Sequence, residues 1–206
     1  AIGKWVENGY RGFYVMATGT GKTWTAIYSA KELYKQNKVL TVIAAPYKHL
    51  VKQWAEDVQK VYRNATIILI SSENPSWYAE ARQAIIAQQY DKDKQVILIT
   101  TIKSFYSDKF AHVIDMSTKD KLLIVDEAHR FTNRNESLQK TYKYMLGLSA
   151  TPINGKNNEA GLDIINFFGG QVFSLPIEVA LAKNFLVKYN YHPVFVYATE
   201  DEEKKF

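Results

Sequence analysis

Cysteine is absent from the 206 residues, which excludes disulfide frameworks, thiolate zinc sites and cysteine nucleophiles, and makes the reducing cytoplasm the expected setting. Histidine is scarce. His49, His112, His129 and His192 show neither helical i, i+4 pairing nor tight clustering, so no transition-metal site is expected. Apolar runs such as 39–45 and 96–99 fall far short of the ~20 residues that a membrane-spanning helix needs, and no membrane partner is expected. Internal repeats and low-complexity tracts are missing as well, which excludes solenoid and linker-like architectures.

What is present is a globular composition. Hydrophobic residues make up 47% of a 23.6 kDa chain, enough to bury a substantial core. The 26 Lys and Arg exceed the 21 Asp and Glu, giving a net charge of +5 and a pI near 9.1, a mild bias toward a polyanionic partner. Short β-branched apolar blocks recur at 13–15, 39–44, 66–70, 96–100, 122–125 and 145–148. Nearly continuous blocks of this kind are typical of strands covered on both faces. Between them, 22–36, 49–62, 77–89 and 136–142 carry helical spacing, and Ile2, Trp5 and Val6 look like the inner face of a helix. Strand alternating with helix predicts an α/β fold with an open, mostly parallel sheet. Beyond Pro152 the expectation is a loop at 153–156, helices at 160–168 and 177–183, and a last strand over 186–197 interrupted by Pro193.

The stretch Met16-Ala17-Thr18-Gly19-Thr20-Gly21-Lys22-Thr23 joins the first apolar block to the first long helix. A glycine-rich turn feeding a helix makes an anion cradle, because the first helical N–H groups lack internal partners and the helix dipole adds positive charge. Gly19 and Gly21 let the backbone curl around phosphate oxygens. Lys22 can reach the β- and γ-phosphates, and Thr23 offers a hydroxyl to Mg²⁺. The ending Gly-Lys-Thr fits the nucleoside-triphosphate loop, with Met16 standing where the strict pattern has glycine.

A second constellation closes the block Leu122-Leu123-Ile124-Val125 with Asp126-Glu127-Ala128-His129. Carboxylates at the carboxyl edge of a parallel sheet lie beside its ligand crevice. Asp126 is placed to hold Mg²⁺ and Glu127 to orient and deprotonate an attacking water. Two acids after an apolar run more often open a solvated helix, and a lone histidine is more often packed or solvated. The phosphate loop upstream reverses that weighting for the acids.

With Asp-Glu-Ala-His beside the phosphate loop, and Leu148-Ser149-Ala150-Thr151-Pro152 downstream of both, the chain resembles the first motor domain of superfamily two helicases and translocases. The resemblance covers roughly 1–198 and implies a RecA-like doubly wound fold with ATP at the sheet's carboxyl edge. It implies nucleotide contacts from Ala17, Thr18, Gly19, Thr20, Gly21, Lys22 and Thr23, with Mg²⁺ on Thr23 and Asp126, and catalysis by Glu127 and Lys22. His129 would bridge to Ser149, Ala150 and Thr151, the family's link between nucleotide state and nucleic-acid binding. Pro46, Tyr47 and Lys48, followed by Gln53-Trp54, resemble its first nucleic-acid element, and Thr100-Thr101 its second. Such elements hold the phosphodiester backbone, which implies sequence-tolerant binding. On the residues alone, Tyr47 and Trp54 read first as packing aromatics, and Lys48 and Lys52 equally as a solvated face or as phosphate contacts.

Within the superfamily, Met16-Ala17-Thr18-Gly19-Thr20, Glu127-Ala128-His129-Arg130 and Gly147-Leu148-Ser149 resemble the branch of DNA-repair helicases and restriction-enzyme motor subunits. DNA is therefore favoured over RNA as the track. The family's glutamine-bearing adenine element would precede Ala1, so 1–198 reads as an N-terminally truncated first motor domain. Residues 199–206 read as the start of a linker to a second motor domain, whose arginines would be needed for full turnover. The alternatives are a nucleotide-gated clamp that does not unwind, an RNA helicase, or a small phosphate-loop kinase in which the later motifs are accidental.

Overall fold

The computed structural model describes residues 1–91, 93–152, 158–187 and 192–193. A short helix α1 (Ile2–Glu7) leads into β1 (Arg11–Met16), and strand and helix then alternate. They run α2 (Lys22–Gln36), β2 (Leu40–Ala45), α3 (Lys48–Val61), β3 (Thr66–Ile70), α4 (Trp77–Tyr90) and β4 (Val96–Thr101). Two small helices, α5 (Ile102–Phe105) and α6 (Asp108–Asp115), precede β5 (Lys121–Val125). A 3₁₀ turn (Ala128–Arg130), α7 (Glu136–Thr141), β6 (Tyr144–Ser149), α8 (Asn158–Phe168), β7 (Gln171–Leu175) and α9 (Ile177–Ala182) complete the order.

Seven strands among the described residues form one sheet in the order β3-β4-β2-β5-β6-β1-β7, every pair parallel. Successive side chains of a strand point to opposite faces, so each apolar block feeds two cores. Leu123 and Val125 pack with Phe13, Leu98 and Phe168 beneath α4, α6 and α8, whereas Leu122 and Ile124 pack with Tyr14, Ile97 and Trp54 beneath α1, α2 and α3. This double burial is why those blocks read as unbroken apolar runs. All strands being parallel, the residues after β1, β2, β4, β5 and β6 emerge on one edge. That edge carries the phosphate loop, Pro46, Thr101, Asp126 and Ser149 together.

Three features depart from expectation. First, β7 pairs with β1 at the sheet edge, with Phe13 N–H donating to Gly170 O at 2.8 Å and Ala17 N–H to Leu175 O at 3.0 Å. Its sequence, Gln-Val-Phe-Ser-Leu, is short and half-exposed, as suits an edge strand, and carries no long apolar signal. Second, α5 and α6 are too short to show periodicity. They are set by their caps instead, Thr101 Oγ1 accepting from Ser104 N–H at 3.1 Å and Ser107 Oγ from Phe110 N–H at 3.3 Å. Third, of the strand expected over 186–197, Leu186, Val187, His192 and Pro193 are described and none is in a strand. Leu186 closes α9 by donating its N–H to Ala180 O at 3.4 Å, and it packs toward Gly19. The rest of that segment, the loop at 153–156 and the linker at 199–206 lie outside the described residues.

Candidate functional site

The phosphate loop is shaped by its own short-range bonds. Thr20 folds back on Ala17, its Oγ1 donating to Ala17 O at 2.6 Å, and Gly19 and Gly21 take φ of 81° and 85°, which only glycine adopts without strain. The first bond of the α2 ladder is Thr25 N–H to Gly21 O at 2.9 Å, so the amides of Lys22, Thr23 and Trp24 lie ahead of it. Beneath the loop, the Tyr14 hydroxyl meets Ser29 Oγ at 3.0 Å. Ser29 donates to Thr25 O at 2.8 Å, and Thr25 Oγ1 to Gly21 O at 3.0 Å. Burial pushes the Tyr14 phenol up to about 12.

The acids come from β5. Asp126 N–H extends the ladder to Ala44 O at 2.8 Å and fixes the residue at the strand end. Glu127 then turns out of the sheet at φ 45°, ψ 51°, a left-handed conformation that costs a non-glycine residue about 1 kcal/mol. Thr18, Gly19, Gly21, Lys22 and Thr23 face Asp126 and Glu127 across a single cleft of about 340 Å³, floored by Gln53 and Asp57 of α3. An added Cβ on Gly21 meets no atom within 4 Å, so this part of the cradle is open. A hydroxyl, two carboxylates and a lysine form a hard-oxygen, cation-assisted set that suits Mg²⁺ on a triphosphate.

Behind the acids, His129 Nδ1 lies 3.0 Å from Ser149 Oγ and 3.4 Å from Glu127 Oε2. Ser149 Oγ accepts from Thr151 N–H at 3.2 Å, and Ser149 is fully buried at the end of β6. Ala150 lies between these two. One imidazole therefore touches both the acid that faces the cleft and the turn after β6.

The family described as "Type III restriction enzyme, res subunit" matches residues 1–154. The chain belongs to this restriction-enzyme res-subunit family. Its all-parallel sheet has the RecA-like fold of the solved helicase domains on which it superposes. A DNA 3'-5' translocase, XPB2, of Sulfurisphaera tokodaii is 27% identical over the whole of this chain and 41% of its own length. The chain spans less than half the length of the curated relatives it matches. Among solved structures, the type ISP restriction-modification enzyme LlaBIII bound to DNA superposes with a TM-score of 0.64 at 19% identity, over 89% of this chain and 15% of that one. The Pyrococcus furiosus Hef helicase domain gives 0.60 at 20% identity, over 83% of this chain and 36% of that one.

The candidate nucleic-acid residues of this res-family chain do not all share one surface. Lys48 and Thr101 line a second cleft, of about 440 Å³, with Ser71, Ser72, Trp77, Lys103, Ser104 and Ser107. Tyr47 is exposed, stacks on His49 and lies under the Arg130 guanidinium, whose carbon sits 5.2 Å from the ring centroid; Pro46 is half-buried beside it. Thr100 departs from expectation. It is fully buried, its hydroxyl 3.4 Å from Ile70 O and 3.2 Å from Thr101 O, because β4 is covered on both faces and all six of its residues are buried. Lys52 is engaged by Glu73 at 2.8 Å, which raises the lysine and lowers the carboxyl from their ordinary ranges. The serines of β3's carboxyl end and Lys103 escaped sequence reading. Their signal was positional, since they follow strands parallel to the one bearing the acids.

Proposed function

We propose that this chain is the ATP-binding first motor domain of a DNA translocase or helicase, coupling Mg²⁺-ATP hydrolysis to movement along DNA or separation of its strands. The observation that carries the reading is the convergence of Lys22 and Thr23 with Asp126 and Glu127 on one cleft at the carboxyl edge of the sheet. The loop amides and the Lys22 ammonium receive the β- and γ-phosphates. Thr23 and Asp126 hold Mg²⁺, which when bound neutralises charge on the phosphate oxygens. Glu127 takes the proton of the attacking water, and His129 steadies it from behind. The same imidazole, through Ser149 and Thr151, carries the state of the nucleotide to the turn after β6.

The second polar cleft supports a backbone-tracking nucleic-acid surface, formed by Lys48, Thr101 and Lys103 with flanking serines. DNA is preferred over RNA because the translocase to which the chain is similar along its whole length is a DNA motor. A second motor domain completes the ATP site with arginines, and the cysteine-free sequence is compatible with a reducing cytoplasmic setting. Among the described residues no helix is long and apolar enough to cross a membrane.

The test is ATP hydrolysis with and without DNA, measured in the protein carrying both motor domains, for wild type and Glu127→Gln. The substitution removes the base and keeps the shape. DNA-stimulated turnover should fall by about 10² to 10⁴ while nucleotide affinity stays within a few-fold. Unaltered turnover in Glu127→Gln, or wild-type hydrolysis indifferent to DNA, would sink the reading.

A further inference from the structure

Trp54 is fully buried in α3, yet its indole does more than fill space. Its Nε1–H donates to Asp126 Oδ2 at 2.9 Å, joining residues 72 positions apart. The other oxygen of that carboxylate, Oδ1, accepts the N–H of Glu127 at 2.9 Å. Asp126 is itself 8% exposed, so both of its oxygens are gripped by donors of the protein in a site with little water. Each oxygen retains a further lone pair, and a carboxylate fixed in this way is oriented before a cation arrives.

The helix bearing Trp54 touches the acidic turn a second time. Tyr47, its N-cap, lies against Arg130, three residues after Glu127. That helix also begins at Lys48, which lines the second cleft.

We propose that Trp54 is the positioning residue of the metal-holding carboxylate, and that α3 thereby ties the polar cleft at its N-terminus to the metal end of the nucleotide cleft. The proposal rests on Asp126 holding Mg²⁺, as in the proposed function. A tryptophan that merely packed, with its N–H satisfied by the nearest acceptor, would affect stability alone. A positioning tryptophan affects the response to the metal. Outer partners of metal ligands typically influence metal affinity by about 10- to 100-fold, and a neutral donor to one oxygen belongs at the lower end.

The experiment measures affinity for a fluorescent ATP analogue in the presence of Mg²⁺ and of EDTA, for wild type, Trp54→Phe and Asp126→Asn. In Trp54→Phe the tightening conferred by Mg²⁺ should shrink roughly tenfold, with metal-free affinity unchanged. Asp126→Asn should abolish that tightening. If Asp126→Asn retains it, the metal role of Asp126 fails and this proposal with it. If Asp126→Asn loses it but Trp54→Phe does not, the proposal alone is overturned, as it is if Trp54→Phe weakens binding equally with and without Mg²⁺. Should Trp54→Phe not fold, the wild-type indole Nε1–H resonance, assigned by through-space contacts, decides the matter. It should shift when Mg²⁺ is added to nucleotide-bound protein, and a resonance indifferent to Mg²⁺ overturns the proposal.

Discussion

Gly147 sits within β6 so close to the Phe13 ring that a Cβ there would fall 2.5 Å from Phe13 Cδ2 and 2.8 Å from Phe168 Cδ2. Both rings are in the core and neither can swing out to solvent, so an added methyl must displace packed atoms. Gly147→Ala should cost about 1–3 kcal/mol, and for a domain of this size lower the melting temperature by roughly 2–4 °C per kcal/mol. Gly21 presents the opposite situation. A Cβ there meets nothing within 4 Å, but the backbone stands at φ 85° and the residue lines the cleft proposed to hold the nucleotide. Gly21→Ala should therefore cost only about 1–2 kcal/mol of fold stability while raising the Kd for ATP by at least about tenfold, since strain and methyl both fall in the cradle. Calorimetric melting beside equilibrium nucleotide binding checks the pair. Equal loss of affinity in both variants would show that the cradle has no local requirement for glycine.

At the scale of elements, the start of α2 rests on the hydrogen-bonded chain Tyr14–Ser29–Thr25–Gly21, buried at its tyrosine end. Tyr14→Phe removes one hydroxyl from it and leaves Ser29 bonded to Thr25, so the expected cost is about 0.5–1.5 kcal/mol by denaturant unfolding. Burial raises the Tyr14 phenol to about 12, from an ordinary value near 10 when unfolded. Between those values the folded state holds a proton that the unfolded state has lost, and stability falls as pH rises through that window. Tyr106 is likewise raised to about 12, and burial pushes Tyr62 and Tyr142 up too, so wild-type stability should decline steeply above pH 10. Tyr14→Phe should decline less steeply, and parallel pH curves for the two proteins would contradict the assignment. How far such elements were legible depended on where their signal lay. The blocks at 39–44 and 96–100 read as strands because both faces are covered, and 22–36 as a helix because a glycine loop opens it. The approach of Lys22 to Asp126 and Glu127 was legible too, since parallel strands bring their carboxyl ends to one edge. β7 was not, because edge position comes from topology rather than composition. Nor was the Trp54–Asp126 bond, which joins two elements that no local pattern relates, or the burial of Thr100, which follows from the place of β4 between β3 and β2 with both faces covered.

For the whole molecule, the consequence of an all-parallel sheet is that one edge carries two clefts of different character. One, after β1 and β5, is lined by glycines, a lysine and acids; the other, after β3 and β4, by hydroxyls and the exposed Lys48 and Lys103. The net charge of +5 favours a polyanion generally, but a diffuse excess does not say where it binds. Phosphate contacts release condensed counterions, so each lysine that neutralises a phosphate adds about 0.7 to 0.9 to the slope of log affinity against log salt, the lower figure for single strands. Lys48→Ala with Lys103→Ala should therefore reduce that slope by roughly 1.4 to 1.8 and weaken binding equally across unrelated DNA sequences, because backbone contacts carry no base readout. Lys52→Ala serves as the contrast. Its ammonium is already held by Glu73, and its loss should leave the slope nearly unchanged. Binding measured between 50 and 200 mM salt for these variants separates the two cases. A slope unaffected by Lys48 and Lys103 yet lowered by Lys52 would move the nucleic-acid track off the cleft after β3 and β4 and onto the outer face of α3.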